Sequence, residues 1–197
     1  MPVKKFARLT LLCRGATLSN RKGGFDSDEA ILPMDETRAQ RIARHFGRFD
    51  ALVVAPERSA LETAAAFTGE PRIDPAVRDL SYGSWQSRTL DDIAETDPQA
   101  LQAWLEDPDA APHGGESLAA LYDRISNWMD DCLAAGGHSL VVTHAPVIRA
   151  AVLKTLSAPI ASFWRIDVEP LAIADIRSDG RRWALRSLGR ANEAAAE

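Results

Sequence analysis

The chain has 197 residues, 46% of them hydrophobic and 26% charged, which is enough to bury one sizeable core and too few for two ordinary domains. Its formal net charge of -5 argues against broad binding to nucleic acids or anionic membranes, because both need a basic face. No stretch approaches the roughly 20 apolar residues of a membrane span. We therefore expect a single domain over residues 1–197 with no nucleic-acid or membrane partner.

The use of cysteine indicates a reducing compartment. Cys13 and Cys132 lie far apart and form neither a CxxC motif nor a Cys/His pattern, so the sequence predicts no disulfide framework and no zinc site. The apolar run near the N-terminus is short and is interrupted by Arg8, which favours a β-strand over a signal peptide. We expect a soluble, cytoplasmic protein that uses no metal or cofactor.

Strands and helices alternate through the first part of the chain. The predicted elements are, in order, a strand over residues 6–13, an irregular connection over 18–35, a helix over 35–46, a strand over 51–54 and a helix over 57–67. Asp35 is the expected N-cap of the first helix, whose apolar residues recur at three- and four-residue spacing. Pro56 lies just before the second helix, where the first helical turn tolerates proline.

The second part begins with an insertion-like cap region over residues 73–112. Two short helices are expected there, near 90–95 and 98–106, and its aromatic residues Tyr82, Trp85 and Trp104 either line a substrate cleft or form a small core of their own. The later predicted elements are a long helix over 116–135, a strand over 139–143, a helix over 147–156, β-rich runs over 163–168 and 171–176, and a last strand around 183–188.

This alternation predicts an α/β protein, a three-layer α/β/α sandwich with a mostly parallel central sheet. Functional sites in such sheets form at the carboxyl ends of the strands. Three predicted strands end in polar or charged residues, at Cys13-Arg14-Gly15, at Ala55 to Arg58 and at Thr143-His144. Arginine holds phosphate oxygens with a planar fork, and backbone N–H groups at helix starts favour an anion further. The sequence therefore predicts a phosphate-binding pocket.

Five segments in chain order carry a recognisable pattern, namely LTLLCRGATLSN, VVAPERSALETAAAF, RDLSYGSWQS, PHGGESLAALYDRI and SLVVTHAPVIRAAV. They resemble the motifs of the histidine phosphatase, or phosphoglycerate mutase-like, superfamily. The first is similar to its Arg-His-Gly-Glu-Thr motif, and Gly15, Thr17 and Asn20 keep the register. The resemblance implies a phosphoglycerate mutase-like fold and covers roughly residues 5–155.

The resemblance also implies roles for single residues. In this family a first histidine attacks phosphorus and forms a phosphohistidine, arginines and a second histidine hold the phosphoryl group, and an acidic residue protonates the leaving oxygen. The family pattern Ser-Pro-x-x-Arg-x-x-x-Thr-Ala is taken to place Arg58 on the second phosphate-binding arginine. Asp79, three residues before Tyr82, falls on the general acid, and His144, followed by Ala145, falls on the second histidine.

The opening motif departs from the family at the nucleophile. Aligned without gaps, Cys13 replaces the arginine, Arg14 replaces the attacking histidine and Ala16 replaces the glutamate. A guanidinium group has a pKa above about 12, so it stays protonated and cannot attack phosphorus. If one residue is deleted instead, Arg14 keeps the arginine position and the histidine is absent. We favour the gapless alignment, because it preserves the spacing from Cys13 to Asn20; a Cys13 thiolate or His144 as a replacement nucleophile is disfavoured.

Three functions remain open. The favoured one is a divergent member that binds phosphate or a phosphorylated small molecule after losing phosphohistidine chemistry. The alternatives are an active phosphomonoester hydrolase of the small sugar-phosphate or α-ribazole-phosphate type with a non-standard nucleophile, and a protein-interaction module; a homodimer is also left open. The predicted catalytic positions are Arg14, Asp79 and His144, and the predicted phosphate-binding residues are Cys13, Arg14, Thr17, Asn20, Arg58, His144 and Ala145.

Overall fold

A computed structural model describes residues 6–25 and 28–190. A six-stranded sheet forms its centre, with the strand order β3-β2-β4-β1-β5-β6. The strands are β1 (Ala7–Cys13), β2 (Ala51–Val54), β3 (Pro71–Ile73), β4 (Gly137–Thr143), β5 (Ala172–Ser178) and β6 (Trp183–Arg190). The four strands β3, β2, β4 and β1 are parallel, whereas β5 pairs antiparallel with both β1 and β6. The sheet is therefore mixed, with its parallel part at the centre and at one edge.

Seven α-helices accompany this sheet in the described ranges. They are α1 (Leu18–Arg21), α2 (Pro33–Arg44), α3 (Arg58–Ala64), α4 (Leu90–Thr96), α5 (Pro98–Glu106), α6 (Leu118–Ala135) and α7 (Ala145–Leu156). Helices α2 and α3 contact each other, and α6 packs on α7. The chain moves outward along the sheet from β1 to β3 and back from β3 to β4, so right-handed crossovers put these two helix pairs on opposite faces. This is the expected phosphoglycerate mutase-like α/β fold.

The hydrophobic core lies between the sheet and its helices. The central strands β1 and β4 are covered on both faces, and Leu11, Leu12, Val141 and Val142 are fully buried. Strands buried in this way have continuous apolar sequences, which is why both were visible in the sequence. No helix within residues 6–25 and 28–190 has both the length and the apolar character needed to cross a membrane.

Most predicted elements are confirmed, including the two short helices of the 73–112 region. The prediction of a β-rich run over 163–168 is wrong, because Ile160–Arg165 forms a 3-10 helix with Phe163 buried. Asp35 is not the N-cap of α2 either. That position belongs to Leu32, and the Asp35 carboxylate instead accepts hydrogen bonds from the Ala16 N–H and from Arg38. The short elements α1 and β3 were not predicted, since neither has an apolar pattern.

Candidate functional site

A cavity of about 410 Å³ opens at the carboxyl ends of β1 and β4. The two ends are adjacent because Cys13 pairs with Thr143 across the strands and the Arg14 N–H donates to the Thr143 carbonyl at 2.7 Å. The charged and thiol side chains that line it are Cys13, Arg14, Asp79, His144, Arg149 and Asp167. The topology thus brings together residues from β1, β4, α7 and the loop after β3, which are far apart in the sequence.

Arg14 is buried, with 6% of its surface exposed. Its Nη1 donates to the Gly15 carbonyl at 2.9 Å and to the Asn20 Oδ1. Asn20 in turn closes a capping box at the start of α1, where Thr17 is the N-cap. The structure therefore uses the Asn20 oxygen as an acceptor for Arg14, and Thr17, which is fully buried, shapes the loop rather than lining the cavity.

His144 lies between two carboxylates. Its Nε2 is 2.9 Å from Glu57 Oε2, and its Nδ1 is 3.2 Å from Asp79 Oδ2. Burial alone would lower the pKa of His144, but the charge and hydrogen bonds of Asp79 and Glu57 outweigh that effect and raise the pKa to about 9. The imidazole is therefore protonated at neutral pH, and this cation has no free lone pair for attack on phosphorus.

Asp79 is ionised by the same contact. Burial alone would raise its pKa, but the charge and hydrogen bond of His144, helped by Arg14, lower it below the ordinary value. A general acid must hold a proton at the working pH, and the pKa of Asp79 is moved away from that condition. In this arrangement the proton stays on the His144 imidazole, and the Asp79 carboxylate accepts a hydrogen bond from it.

The thiol of Cys13 is buried, and burial raises its pKa to about 11 despite the opposing charges of Arg14 and Arg149. Only a thiolate is a strong sulfur nucleophile, so the neutral thiol is unreactive at physiological pH. This agrees with the expectation that Cys13 does not act as a nucleophile.

The loop that carries Asp79 is held in place by α6 and by the turn that precedes α6. Arg124 of α6 donates to the carbonyls of Ala76 and Arg78 and forms an ion pair with Glu116 at 2.6 Å. Two chain segments also touch through their backbones, since the Glu116 N–H donates to the Ser81 carbonyl at 2.9 Å. The position of Asp79 is therefore fixed by main-chain contacts and by a nearly buried ion pair.

Glycine is required at this backbone contact. A Cβ atom at Gly115 would overlap the Ser81 carbonyl, and one at Gly83, whose φ is +49°, would overlap the His113 carbonyl.

The aromatic residues near this contact divide between the two expected roles. Tyr82 lines the cavity, whereas Trp85 and Trp104 are buried in the core.

Comparison with known proteins identifies the family. Residues 9–191 match the family model of the histidine phosphatase superfamily (branch 1). The chain belongs to this superfamily. The resemblance deduced from the five sequence segments is thus confirmed at the level of the superfamily.

Relatives that are 30% identical to this chain include a mycobacterial phosphatase and a longer bifunctional protein. The match to a glucosyl-3-phosphoglycerate phosphatase of Mycolicibacterium vanbaalenii runs over 207 residues and covers 86% of this chain and 91% of that protein. The match to a bifunctional protein of Mycobacterium tuberculosis runs over 142 residues and covers 68% of this chain, but only 39% of the length of that relative. An adenosylcobalamin/alpha-ribazole phosphatase of Salmonella typhimurium is 27% identical over 175 residues, with 82% and 86% covered.

Solved structures support the same fold. A phosphoserine phosphatase mutant from Entamoeba histolytica, in complex with phosphoserine, superposes with a TM-score of 0.86 at 19% identity and covers 95% of this chain and 98% of that one. A mycobacterial glucosyl-3-phosphoglycerate phosphatase in complex with VO3 gives a TM-score of 0.83 at 25% identity, with 93% and 99% covered.

Arg58, the predicted second phosphate-binding arginine of the histidine phosphatase pattern, lies away from the cavity. Its side chain is 60% exposed and pairs with Glu62 at 2.8 Å. Counting back from Thr63-Ala64, the family pattern puts its arginine on Ser59, which is buried, so the assignment of Arg58 was displaced by one residue. Because Arg58 is the first residue of α3, its side chain points along the helix surface toward Glu62, one turn further on.

Three charged residues at this site were not predicted from the sequence, namely Glu57, Arg149 and Asp167. Glu57 is the residue before α3 and contacts His144 at 2.9 Å, and no family motif marks its position in the segment from Ala55 to Arg58. Arg149 lines the cavity from α7. It belongs to the Val-Ile-Arg end of the last matching segment, which was the available signal, and its spacing of four from Ala145 places both on one helix face.

Proposed function

We propose that the cavity binds a small phosphomonoester and that no phosphohistidine forms there. The observation that carries this proposal is Arg14, a buried guanidinium at the end of β1, where the gapless alignment puts the attacking histidine. A guanidinium stays protonated in proteins, so it binds an anion and does not attack phosphorus.

The other nucleophile candidates of the cavity support the same proposal. The pKa of the Cys13 thiol is raised to about 11 by burial, and the pKa of His144 is raised to about 9 between its two carboxylates. Both groups are therefore protonated at neutral pH. Nucleophilic catalysis needs an activated lone pair, which neither group supplies.

Anion binding is supported by the charges around the cavity. Arg14, Arg149 and the His144 imidazolium are cationic, and the N-terminus of the twelve-residue helix α7 begins at Ala145 on the same wall. The relatives add a chemical class, since their names specify phosphoserine, α-ribazole phosphate and glucosyl-3-phosphoglycerate phosphatases. The substrates in these names are all small phosphomonoesters.

Those names also favour a second candidate, an active phosphomonoester hydrolase. In that reaction Asp79 takes a proton from a water molecule, the water oxygen bonds to phosphorus, the ester P–O bond breaks, and His144 gives its proton to the leaving oxygen. The proton on Asp79 then returns to His144 across their 3.2 Å contact. The ionisation states of both residues suit these roles.

One set of assays separates the candidates. We expect vanadate and phosphomonoesters to bind saturably to the wild-type protein, and p-nitrophenyl phosphate and a phosphometabolite panel to show no turnover at high protein concentration. Turnover that disappears in both Asp79→Asn and His144→Gln would overturn the first candidate in favour of the hydrolase. Absence of all anion binding would favour the protein-interaction module.

A gain-of-function series tests the loss of the nucleophile directly. We expect Cys13→Arg together with Arg14→His, and further with Ser59→Arg, to create phosphatase activity with a phosphohistidine that mass spectrometry detects. The matched control carries Cys13→Arg and Ser59→Arg but retains Arg14, and we expect it to stay inactive. Equal activity in the control and the triple variant would contradict the proposed role of position 14.

A further inference from the structure

Arg149 is the second arginine that lines the cavity, and its surroundings differ from those of Arg14. Its side chain is 20% exposed and reaches the cavity from the second turn of α7. The guanidinium lies over the rings of Phe163 and Trp164, with its central carbon 5.4 and 6.0 Å from the ring centroids. Cation–π contacts of this kind stabilise the guanidinium without using its N–H groups, which stay available as hydrogen-bond donors.

The hydrogen-bond capacity of Arg149 is largely unused within the described part of the chain. Its buried Nε donates to no acceptor there. Its nearest carboxylate belongs to Asp167, at 3.9 Å from Nη2, and that side chain is 89% exposed. An exposed pair at this distance is worth little, because water and salt screen it. Arg14, by contrast, already donates to Gly15 and Asn20.

The two arginines lie in one small cavity. Both line it, and both act electrostatically on the thiol of Cys13. The cavity volume of about 410 Å³ suits a compact metabolite larger than a single phosphate group, so a ligand with a second anionic group has room to pair with Arg149 as well. A buried donor that stays unpaired costs free energy, so a ligand that fills both positions binds better.

We propose that Arg149 selects phosphomonoesters that carry a second anionic group, either a carboxylate or another phosphate. Its fork donates to the two oxygens of that group, while Arg14 and His144 face the phosphoryl group at the other end. This inference rests on the proposed phosphomonoester binding, and it assigns to Arg149 the role of a specificity-determining residue.

Matched ligands test the inference on the full chain by calorimetry, with phosphate release monitored in parallel. 3-Phosphoglycerate and glycerol 3-phosphate differ only in the carboxylate, and propane-1,3-diol bisphosphate supplies a second phosphate instead. We expect the wild-type protein to bind 3-phosphoglycerate or the bisphosphate about tenfold more tightly than glycerol 3-phosphate, which is about 1.4 kcal/mol. The tighter of the two identifies the second anion.

The variant Arg149→Met keeps most of the aliphatic stem and removes the fork. We expect it to lose this tenfold preference, because its affinity for the ligand with two anionic groups falls about tenfold more than its affinity for glycerol 3-phosphate, and we expect Arg149→Lys to regain part of the preference. Arg182→Met, at the exposed turn before β6, is the matched control and should behave as wild type. Thermal melting of each variant confirms that it is folded.

Three results would decide against the inference. Equal affinities of the wild-type protein for all three ligands, or an equal loss for all three in Arg149→Met, would overturn it and leave phosphomonoester binding intact. Binding of none of the three by the folded wild-type protein would overturn the proposed function itself, and the inference with it. Binding of glycerol 3-phosphate by the wild-type protein distinguishes the first two results from the third, because only the third predicts no binding isotherm.

Discussion

The two sides of the cavity are built in different ways. At the end of β1, side chains hold one another, with Arg14 bonded to Asn20 and Asn20 to the Thr17 cap. On the opposite side, the loop of Asp79 is held by backbone contacts around Gly115 and by the ion pair between Arg124 and Glu116. Side-chain identities can change while a backbone shape persists. We therefore expect substitutions at Gly115 to disturb the fold more than substitutions at Arg14.

The largest expected effect is on stability, from a substitution at the backbone contact that holds the Asp79 loop. In Gly115→Ala the new Cβ meets the Ser81 carbonyl, which belongs to the main chain and cannot rotate away. We expect a loss of about 4 kcal/mol in the free energy of unfolding, at the upper end for single substitutions. Denaturant titration followed by circular dichroism measures it.

Gly114→Ala is the matched control for this substitution. Gly114 has a φ of +69° but no neighbouring atom within 4 Å of the added Cβ. We expect it to cost about 1 kcal/mol, from backbone strain alone. Equal losses for the two variants would show that steric contact between the segments does not hold the Asp79 loop.

The next effect concerns the contact that joins the two sides, between His144 of the β4 end and Asp79 of the loop. Because the folded-state pKa of His144 is raised from 6.5 to about 9, its contribution to stability is complete below pH 6.5 and is lost as the pH rises through about 9. The change corresponds to about 3 kcal/mol over this window. Thermal melts between pH 6 and pH 10 measure it.

His144→Gln provides the control for the pH dependence. We expect this variant to be less stable at pH 6, because two carboxylates lose their shared cation, and its stability to vary little between pH 6.5 and pH 9. The pKa values of His113 and His138 are lowered, mainly by burial, so they titrate below this window. A wild-type stability that is flat across the window would rule out a protonated His144.

The sequence predicted the fold better than the site. β1, β4 and the helix α7 after β4 have strong apolar patterns, and the segments around them keep the family register, so the position of the cavity followed from the strand ends. The side chains of His144 and Asp79 line the cavity, but their ionisation states depend on burial and on Glu57, which no local pattern reveals. Arg58 shows the opposite limit, because a shift of one residue at a helix start turns a side chain away from the site.

Arg58 therefore gives the smallest expected effect. Its exposed ion pair with Glu62 is worth about 0.5 kcal/mol or less, and its side chain does not line the cavity. We expect Arg58→Ala to melt within about 2 °C of the wild type and to bind vanadate with unchanged affinity, whereas Arg14→Met should weaken vanadate binding at least tenfold because it removes the buried guanidinium. Calorimetry on the two variants makes the comparison. A similar loss in both would mean that Arg58 reaches the ligand after all, and that the start of α3 moves toward the cavity when an anion binds.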